Sequence, residues 1–172
     1  MTLPPAVRKL ALTAHVVTSV GWLGAVVAFL ALTVTALTAS PSPAWRAAYP
    51  AMDLLTRHAI VPLAVGSLLT GLLSSLGSSW GLLRHYWVTT KLGLALAATA
   101  VLLLQIEPIG HAADAAGSAG PTDLRPATSS MTVHATGGLI VLVTTTVLAV
   151  YKPRGLTRYG RRRQREAAGR SQ

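Results

Sequence analysis

The five histidines are the residues of this sequence best suited to chemistry, because an imidazole can bind a metal or carry a proton near neutral pH. The sequence has no cysteine, which excludes disulfides, thiolate metal sites and cysteine nucleophiles. His15 lies in a stretch that has no charged residue between Lys9 and Arg46. If this stretch crosses a membrane, an ionisable side chain within it is a candidate for function.

The histidines sort into two pairs when they are placed on four membrane-spanning helices. His15 and His85 fall toward the cytoplasmic side, and His58 and His134 fall toward the outer side. Each pair spans one diagonal of a four-helix bundle, which is the arrangement in which two imidazoles can hold a b-type haem. The sequence therefore offers the hypothesis of an electron-transfer protein that binds haem b through these four histidines.

Two observations bear on the haem hypothesis. Gly137 and Gly138 follow His134 by three and four residues, which leaves its helix face bare enough for a flat macrocycle. No CxxCH motif is present, so covalent attachment of haem is excluded. A second alternative is a metal-ion or proton pathway through the same histidines, and in the third interpretation they are hydrogen-bonded packing residues.

Other chemistry is weakly represented. There is no glycine-rich phosphate loop and no HExxH, and only Glu107 lies near a membrane end, so no pair of carboxylates is available for acid–base work. The pattern favours a structural or partner-binding bundle over an enzyme, and hydrolysis least of all. A homo-oligomer or a membrane partner fits such a bundle.

The elements that must position the histidines are membrane helices. The chain of 172 residues is 51% hydrophobic and only 12% charged, whereas a soluble domain has about 25% charged residues. A bilayer core needs about 20 helical residues. Long uncharged runs predict an all-α membrane protein with four spans, at about residues 8–37, 54–79, 84–106 and 130–151. The third span includes Lys91, whose ammonium we expect to extend to the interface.

Charge distribution predicts the orientation. With both termini in the cytoplasm, the inner side carries twelve Lys and Arg residues, and the outer loops carry only Arg46, Arg57 and Arg125. This is the positive-inside bias of a multi-pass plasma-membrane protein. The transmembrane domain thus covers residues 1–151 as an up-down bundle.

Residues 152–172 form a basic cytoplasmic tail that holds eight of the fifteen cations. The net charge of +10 is explained by this tail rather than by nucleic-acid binding. We expect the tail to lie on anionic lipid headgroups. Its surface-binding residues are Lys152, Arg154, Arg158, Arg161, Arg162, Arg163 and Arg165.

The connections and one proline complete the prediction. The segment from Thr38 to Asp53 is expected to lie partly in the interface, and the glycine- and proline-containing segment 107–129 is expected to be a mobile outer loop. Pro62 falls inside the second span and predicts a kink, because it removes a backbone hydrogen bond to the carbonyl of His58.

The motifs HVVTSVGWLGAV, RHYWVTTKL, VHATGGLIVL and YKPRGLTRYGRRRQ resemble those of a family of small, four-span bacterial integral membrane proteins without an assigned function. The resemblance covers nearly the whole chain. It implies a bacterial plasma-membrane location but no activity and no cofactor. His15, His85 and His134 fall inside these motifs and His58 lies outside them.

Overall fold

The computed structural model describes residues 4–39, 42–76, 85–153 and 155–169, with the backbone alone described for 163–168. This part of the chain is almost wholly helical. Its α-helices are α1 (Pro5–Thr38), α2 (Pro43–Leu55), α3 (Val61–Leu76), α4 (Tyr86–Ala115), α5 (Pro121–Tyr151) and α6 (Arg158–Gly169), and a π-helical turn at Thr56–Ile60 joins α2 to α3.

Four helical segments are long and apolar enough to cross a membrane: α1, the continuous segment from α2 to α3 (Pro43–Leu76), α4 and α5. The four-helix membrane prediction is confirmed at this level. Side chains on their outer faces, such as Leu10, Leu104 and Val133, are at least 70% exposed, as lipid-facing residues are in a protein viewed without its bilayer.

The helices extend further than the sequence prediction placed them. The third span continues to Ala115 and the fourth begins at Pro121, so the predicted mobile loop at 107–129 is reduced to the short connection between them. That prediction was wrong because Pro121 at the first helical turn and Asp123 are start signals. The Asp123 carboxylate accepts a hydrogen bond from the Gly120 N–H at 2.9 Å.

The predicted interfacial stretch of residues 38–53 is also mostly helix. Ser42 caps α2 by accepting a hydrogen bond from the Trp45 N–H at 3.2 Å, and Pro43 occupies the first turn. The helix then runs on through the π-helical turn, where the Val61 N–H reaches back to the carbonyl of Thr56. This wider turn ends two residues before Pro62, so the distortion that the proline predicts takes the form of a π-helical turn.

Four neighbouring pairs of spans build the bundle, since α2 and α3 belong to one span. α1 packs against α2, α3 and α5, and α4 packs against α5 and against both helices of the second span. α1 and α3 run antiparallel, because Gly21 faces Leu63 while His15 faces Gly71. The first and third spans therefore lie across one diagonal, and the second and fourth across the other.

The basic tail begins at a turn and then returns to the bundle. Lys152 ends α5 in the left-handed conformation, with φ at 44°. Leu156 then forms an isolated antiparallel bridge with His85, and the Gly155 carbonyl accepts from the Tyr86 N–H at 3.3 Å. This contact holds α6 near the start of α4.

Candidate functional site

The close approach of α1 and α3 positions His15. A Cβ added at Gly71 would lie 3.0 Å from Cε1 of His15, and one at Gly66 would lie 3.2 Å from the methyl group of Thr18. These glycines therefore allow the imidazole to lie flat against the backbone of α3. Small residues that let backbones meet are the usual means of helix packing in lipid.

Both ring nitrogens of His15 have partners. Nδ1 lies 3.0 Å from the carbonyl oxygen of Ser67 and 3.3 Å from the Thr70 hydroxyl. Nε2 lies 3.4 Å from Nζ of Lys91. A carbonyl only accepts and an ammonium only donates, so this pattern assigns a neutral imidazole with its proton on Nδ1.

Lys91 joins the first and third spans across the diagonal of the bundle. Its ammonium points to His15 rather than extending to the interface, which corrects the expectation from the sequence. Within the described residues, no carboxylate lies within ion-pair distance of Lys91, since the two ion pairs found there are Arg57–Asp53 and His111–Glu107. The only described side chain that bonds Lys91 is an uncharged base.

Hydroxyl groups surround this histidine–lysine pair. The Ser19 and Ser67 hydroxyls lie 2.8 Å apart, and the Thr70 hydroxyl donates to the Gly66 carbonyl at 2.6 Å. We call the group His15, Thr18, Ser19, Ser67, Thr70 and Lys91 the polar cluster. Its members bond across three spans, so it holds the helices together as well as positioning His15.

An apolar cavity of about 340 Å³ lies between the helices, further along the bundle. Trp22, Val26 and Phe29 line it from α1, and residues of α4 and α5 line it from the other side. Gly137 and Gly138 line it too, and an added Cβ at either would meet nothing within 4 Å. They border open space and do not form the close helix contact that their spacing also allowed.

Polar groups in the cavity lining are few: Thr56, Gln105 and His134. Thr56 donates its hydroxyl proton to the Met52 carbonyl within its own helix at 2.8 Å. His134 Nδ1 lies 2.7 Å from the Ser130 carbonyl, also within its own helix. Nδ1 therefore carries the proton, and Nε2 is the nitrogen with a lone pair to offer.

The other predicted histidines do not line the cavity. His58 is exposed, and its Nδ1 bonds the Leu54 carbonyl one turn back at 3.1 Å. His85 stands at the N-cap position of α4 without a side-chain capping bond, and its backbone bridges Leu156 of the tail. His111 is exposed near Glu107, 3.9 Å away. Of the four predicted haem ligands, the structure places only His134 at the cavity, while His15 has both nitrogens engaged.

A metal-ion or proton pathway was the second alternative for the histidines. In the part of the chain that the structure describes, no three His, Asp or Glu side chains come together as a group that could hold a metal ion. Among the predicted membrane-surface residues, Arg158, Arg161 and Arg162 are exposed on α6 and Lys152 is exposed at the end of α5. Arg154 lies outside the described residues, as do the side chains of Arg163 and Arg165.

An aromatic corner, formed by Trp45 and Tyr49 of α2, closes the bundle at the end where α1 stops. Their rings meet edge to face with centroids 5.2 Å apart. Trp45 Nε1 donates to the Ala36 carbonyl at 3.1 Å, and the Tyr49 hydroxyl lies 2.8 Å from that of Thr128. Because Thr128 donates to the Leu124 carbonyl, Tyr49 is the donor, and it links the second and fourth spans.

Several of these residues escaped sequence reasoning, and their signals differ in strength. The spacing of Ser67 and Gly71 already indicates close packing, but Thr70 and Ser74, which complete one small, polar face of α3, were missed. Lys91 was predicted only to extend its charge from the third span to the interface, and not to bond another helix. Gln105 has no local signal, because a single amide in an apolar helix says nothing of what it faces.

No family model, no curated protein and no solved structure matches this chain.

Proposed function

We propose that this protein is a bacterial plasma-membrane protein that binds a lipid-soluble small molecule in the apolar cavity. In this proposal the four spans form an up-down bundle with both termini in the cytoplasm, supported by twelve inner against three outer cations. Motifs such as RHYWVTTKL, which resemble those of small four-span proteins, support the same location. The role is binding rather than hydrolysis.

The cavity is the observation that carries this proposal. Its 340 Å³ falls within the range of small-molecule sites, about 300–1,000 Å³. Such sites have mostly apolar walls with a few polar groups, as here with Gln105 and His134. The π-helical turn contributes Thr56 and Ile60 to the wall, and such turns are frequent at functional sites.

The polar groups of the wall indicate the ligand class. The ring of His134 offers Nε2 as an acceptor, because Nδ1 donates to Ser130. Gln105 offers both an amide donor and a carbonyl acceptor. A molecule with an apolar body and one hydroxyl group satisfies this wall. His134 or Gln105 forms the hydrogen bond to its hydroxyl group. Its apolar body contacts the apolar side chains that make up the rest of the wall.

Direct binding of para-nonylphenol, a long-chain phenol, tests the proposal. Purified protein in detergent is titrated with this probe, and fluorescence of Trp22, which lines the cavity, is followed together with native mass spectrometry. We expect saturable binding of one molecule. Trp22→Phe should remove the fluorescence response while binding by mass persists. Binding that never saturates, or that exceeds one molecule without a plateau, would contradict the proposal.

Haem b is the second candidate ligand, and His134 favours it. A haem-ligating histidine commonly donates its other N–H to a backbone carbonyl, as His134 does to Ser130. Gly137 and Gly138 leave the neighbouring wall open. His134 would hold the iron and the apolar wall would exclude water, and the haem would supply electron transfer. His15 does not fit as its ligand, because both of its nitrogens are engaged.

An absorbance spectrum separates the two candidates. Protein produced with haem supplied is purified and scanned before and after reduction with dithionite. Haem binding predicts a Soret band that His134→Ala removes and His111→Ala leaves intact. If the wild-type protein shows no Soret band, the haem candidate is rejected and the phenol-binding test stands alone.

The basic tail is proposed to lie on anionic headgroups of the inner leaflet. Exposed Arg158 and Arg161 support this, and each such cation contributes about 1 kcal/mol near an anionic surface. Reporter fusions after Gln172 and at Gly117 test the sidedness. We expect cytoplasmic and external signals respectively, and an external tail would contradict the orientation. The lipid-facing helices are also proposed to bind a second copy of this chain or another membrane protein.

A further inference from the structure

The charge of Lys91 is not balanced by the part of the protein that the structure describes. Its described partner is the neutral ring of His15. Four of the five acidic residues of the sequence lie far from it along the fold: Asp53 in α2, Glu107 and Asp114 in the last third of α4, at least 16 residues beyond Lys91, and Asp123 in the first turn of α5. An ammonium that is half-buried among apolar helices is costly without a counter-charge.

The ammonium also has donors to spare. It carries three N–H bonds and gives one to His15, so two remain for another acceptor. His15 cannot swing away, because its Nδ1 is fixed by the Ser67 carbonyl and its ring lies on Gly71. The histidine therefore acts as a positioning residue that holds the ammonium in one place.

A second, independent observation points to a ligand on the same side of the bundle. The Ser74 hydroxyl is buried and has no hydrogen-bond partner within the described structure. Ser74 follows Ser67 and Thr70 at intervals of seven and four residues, so it shares the α3 face that His15 contacts. A buried hydroxyl without a partner is destabilising, so it calls for an acceptor.

The depth of Lys91 indicates the kind of anion. Lys91 is five residues from the start of α4 at Tyr86, or about 8 Å along the helix axis. This is within reach of the phosphate layer of the nearer leaflet. Exposed Arg8 and Lys9, at the start of α1, raise the positive potential at that end of the bundle.

We propose that Lys91, held by His15, and Ser74 bind a phosphate group at this end of the bundle. The group could belong to an anionic phospholipid or to free inorganic phosphate. Both supply oxygens that accept from an ammonium and a hydroxyl. This site is separate from the apolar cavity and does not depend on the ligand proposed there.

Lipid binding to the full-length protein distinguishes the two sources. Delipidated protein in a neutral detergent is titrated with phosphatidylglycerol, with diacylglycerol, which lacks the phosphate, and with inorganic phosphate at constant ionic strength. Native mass spectrometry counts bound lipid, and thermal melting reports stabilisation. A lipid source predicts tight retention of phosphatidylglycerol without an effect of phosphate. A free-phosphate source predicts stabilisation by phosphate alone.

Matched variants assign the binding to this site rather than to the tail. Lys91→Met should weaken binding of the preferred phosphate probe by roughly 10- to 100-fold, the loss expected for a charge-assisted hydrogen bond. Lys91→Arg should keep binding within a few-fold. Lys9→Met removes an exposed cation from the same end and should change little.

If Lys91→Met fails to fold, Ser74→Ala is the second variant that tests the site. It is expected to fold, because it removes a hydroxyl without leaving a buried polar group. It should weaken binding several-fold and leave thermal stability intact. The proposal is overturned if neither phosphate probe binds better than diacylglycerol or buffer. It is equally overturned if Lys91→Met, or Ser74→Ala in its place, binds like the wild type.

Discussion

The polar cluster and the apolar cavity use glycine in opposite ways. At Gly71 and Gly66, an added methyl group would lie 3.0 and 3.2 Å from a side chain of α1, so these glycines permit contact. At Gly137 and Gly138 nothing lies within 4 Å, so these glycines maintain space. Helix spacing alone does not distinguish the two uses. What differs is the facing residue: His15 and Thr18 fill the first gap, and nothing fills the second.

The two regions also differ in how they hold the helices together. In the polar cluster, hydrogen bonds such as Ser19–Ser67 and His15–Ser67 connect α1 to α3. Lipid gives no hydrophobic force between helices, so such bonds and close packing must do this work. At the cavity end, the aromatic corner holds the helices together, because Trp45 and Tyr49 are almost fully buried between them. We therefore expect the stability of the cavity end to depend on large buried side chains, and that of the polar cluster to depend on hydrogen bonds.

Trp45→Ala should have the largest effect on stability. Trp45 is 1% exposed, and its removal leaves a void and an unpaired Ala36 carbonyl. We expect a loss of about 3 kcal/mol in the free energy of unfolding, the lower end of the range for such truncations. Unfolding in mixed micelles with SDS measures it. Leu104→Ala, at a lipid-facing position that is 74% exposed, is the control and should cost far less. Equal losses in the two variants would show that the aromatic corner does not stabilise the bundle more than a lipid-facing side chain does.

His15→Leu should come next, at about 1–2 kcal/mol. Leucine matches the ring in size but leaves the Ser67 carbonyl and the Lys91 ammonium without their partner. His15→Gln can still donate or accept and should lose less. The same unfolding assay compares the two variants. If leucine is tolerated as well as glutamine, packing rather than hydrogen bonding explains His15.

Gly71→Ala should cost about 1 kcal/mol, since the new methyl group forces the His15 ring to move. Gly93→Ala, two residues beyond Lys91 on α4, meets nothing within 4 Å and should be neutral or slightly stabilising. Thermal melting of both variants tests the difference. Similar melting temperatures would show that the close contact at Gly71 is not limiting.

Gly138→Leu should have the smallest effect on stability, less than about 0.5 kcal/mol, because its side chain enters open space. A close helix contact would instead have predicted strong destabilisation. Gly117→Leu, beyond the end of α4 and also without neighbours, is the matched control. A marked loss of stability confined to Gly138→Leu would mean that the helices close over the cavity.

The sequence predicted the coarse fold because hydropathy and length decide membrane spans almost alone. It misplaced the ends of the third and fourth helices because glycine and proline in 107–129 were weighed as loop signals, although Pro121 and Asp123 start a helix. It singled out His15, whose ring the structure places against α3 with both nitrogens engaged. Its partner Lys91 could not be found from spacing, since the two lie 76 residues apart on diagonal spans.

The haem prediction illustrates the same limit. Depth along the helices paired His15 with His85 and His58 with His134, but depth does not tell which way a ring points. The structure has His58 bonding its own helix and His15 bonding α3, while His134 lines the cavity. Rotation of each helix about its axis is fixed by packing against its neighbours, and a single sequence with nearly uniform apolar faces carries little of that information.

We propose that the lipid-soluble ligand occupies the cavity and not the polar cluster. Equilibrium binding of para-nonylphenol is measured for the wild type, Gly138→Leu and Lys91→Met, with Gly117→Leu as the control. Filling the cavity in Gly138→Leu should abolish saturable binding, while Lys91→Met and Gly117→Leu should retain the wild-type affinity. Undiminished binding in a folded Gly138→Leu, or a loss confined to Lys91→Met, would contradict the account.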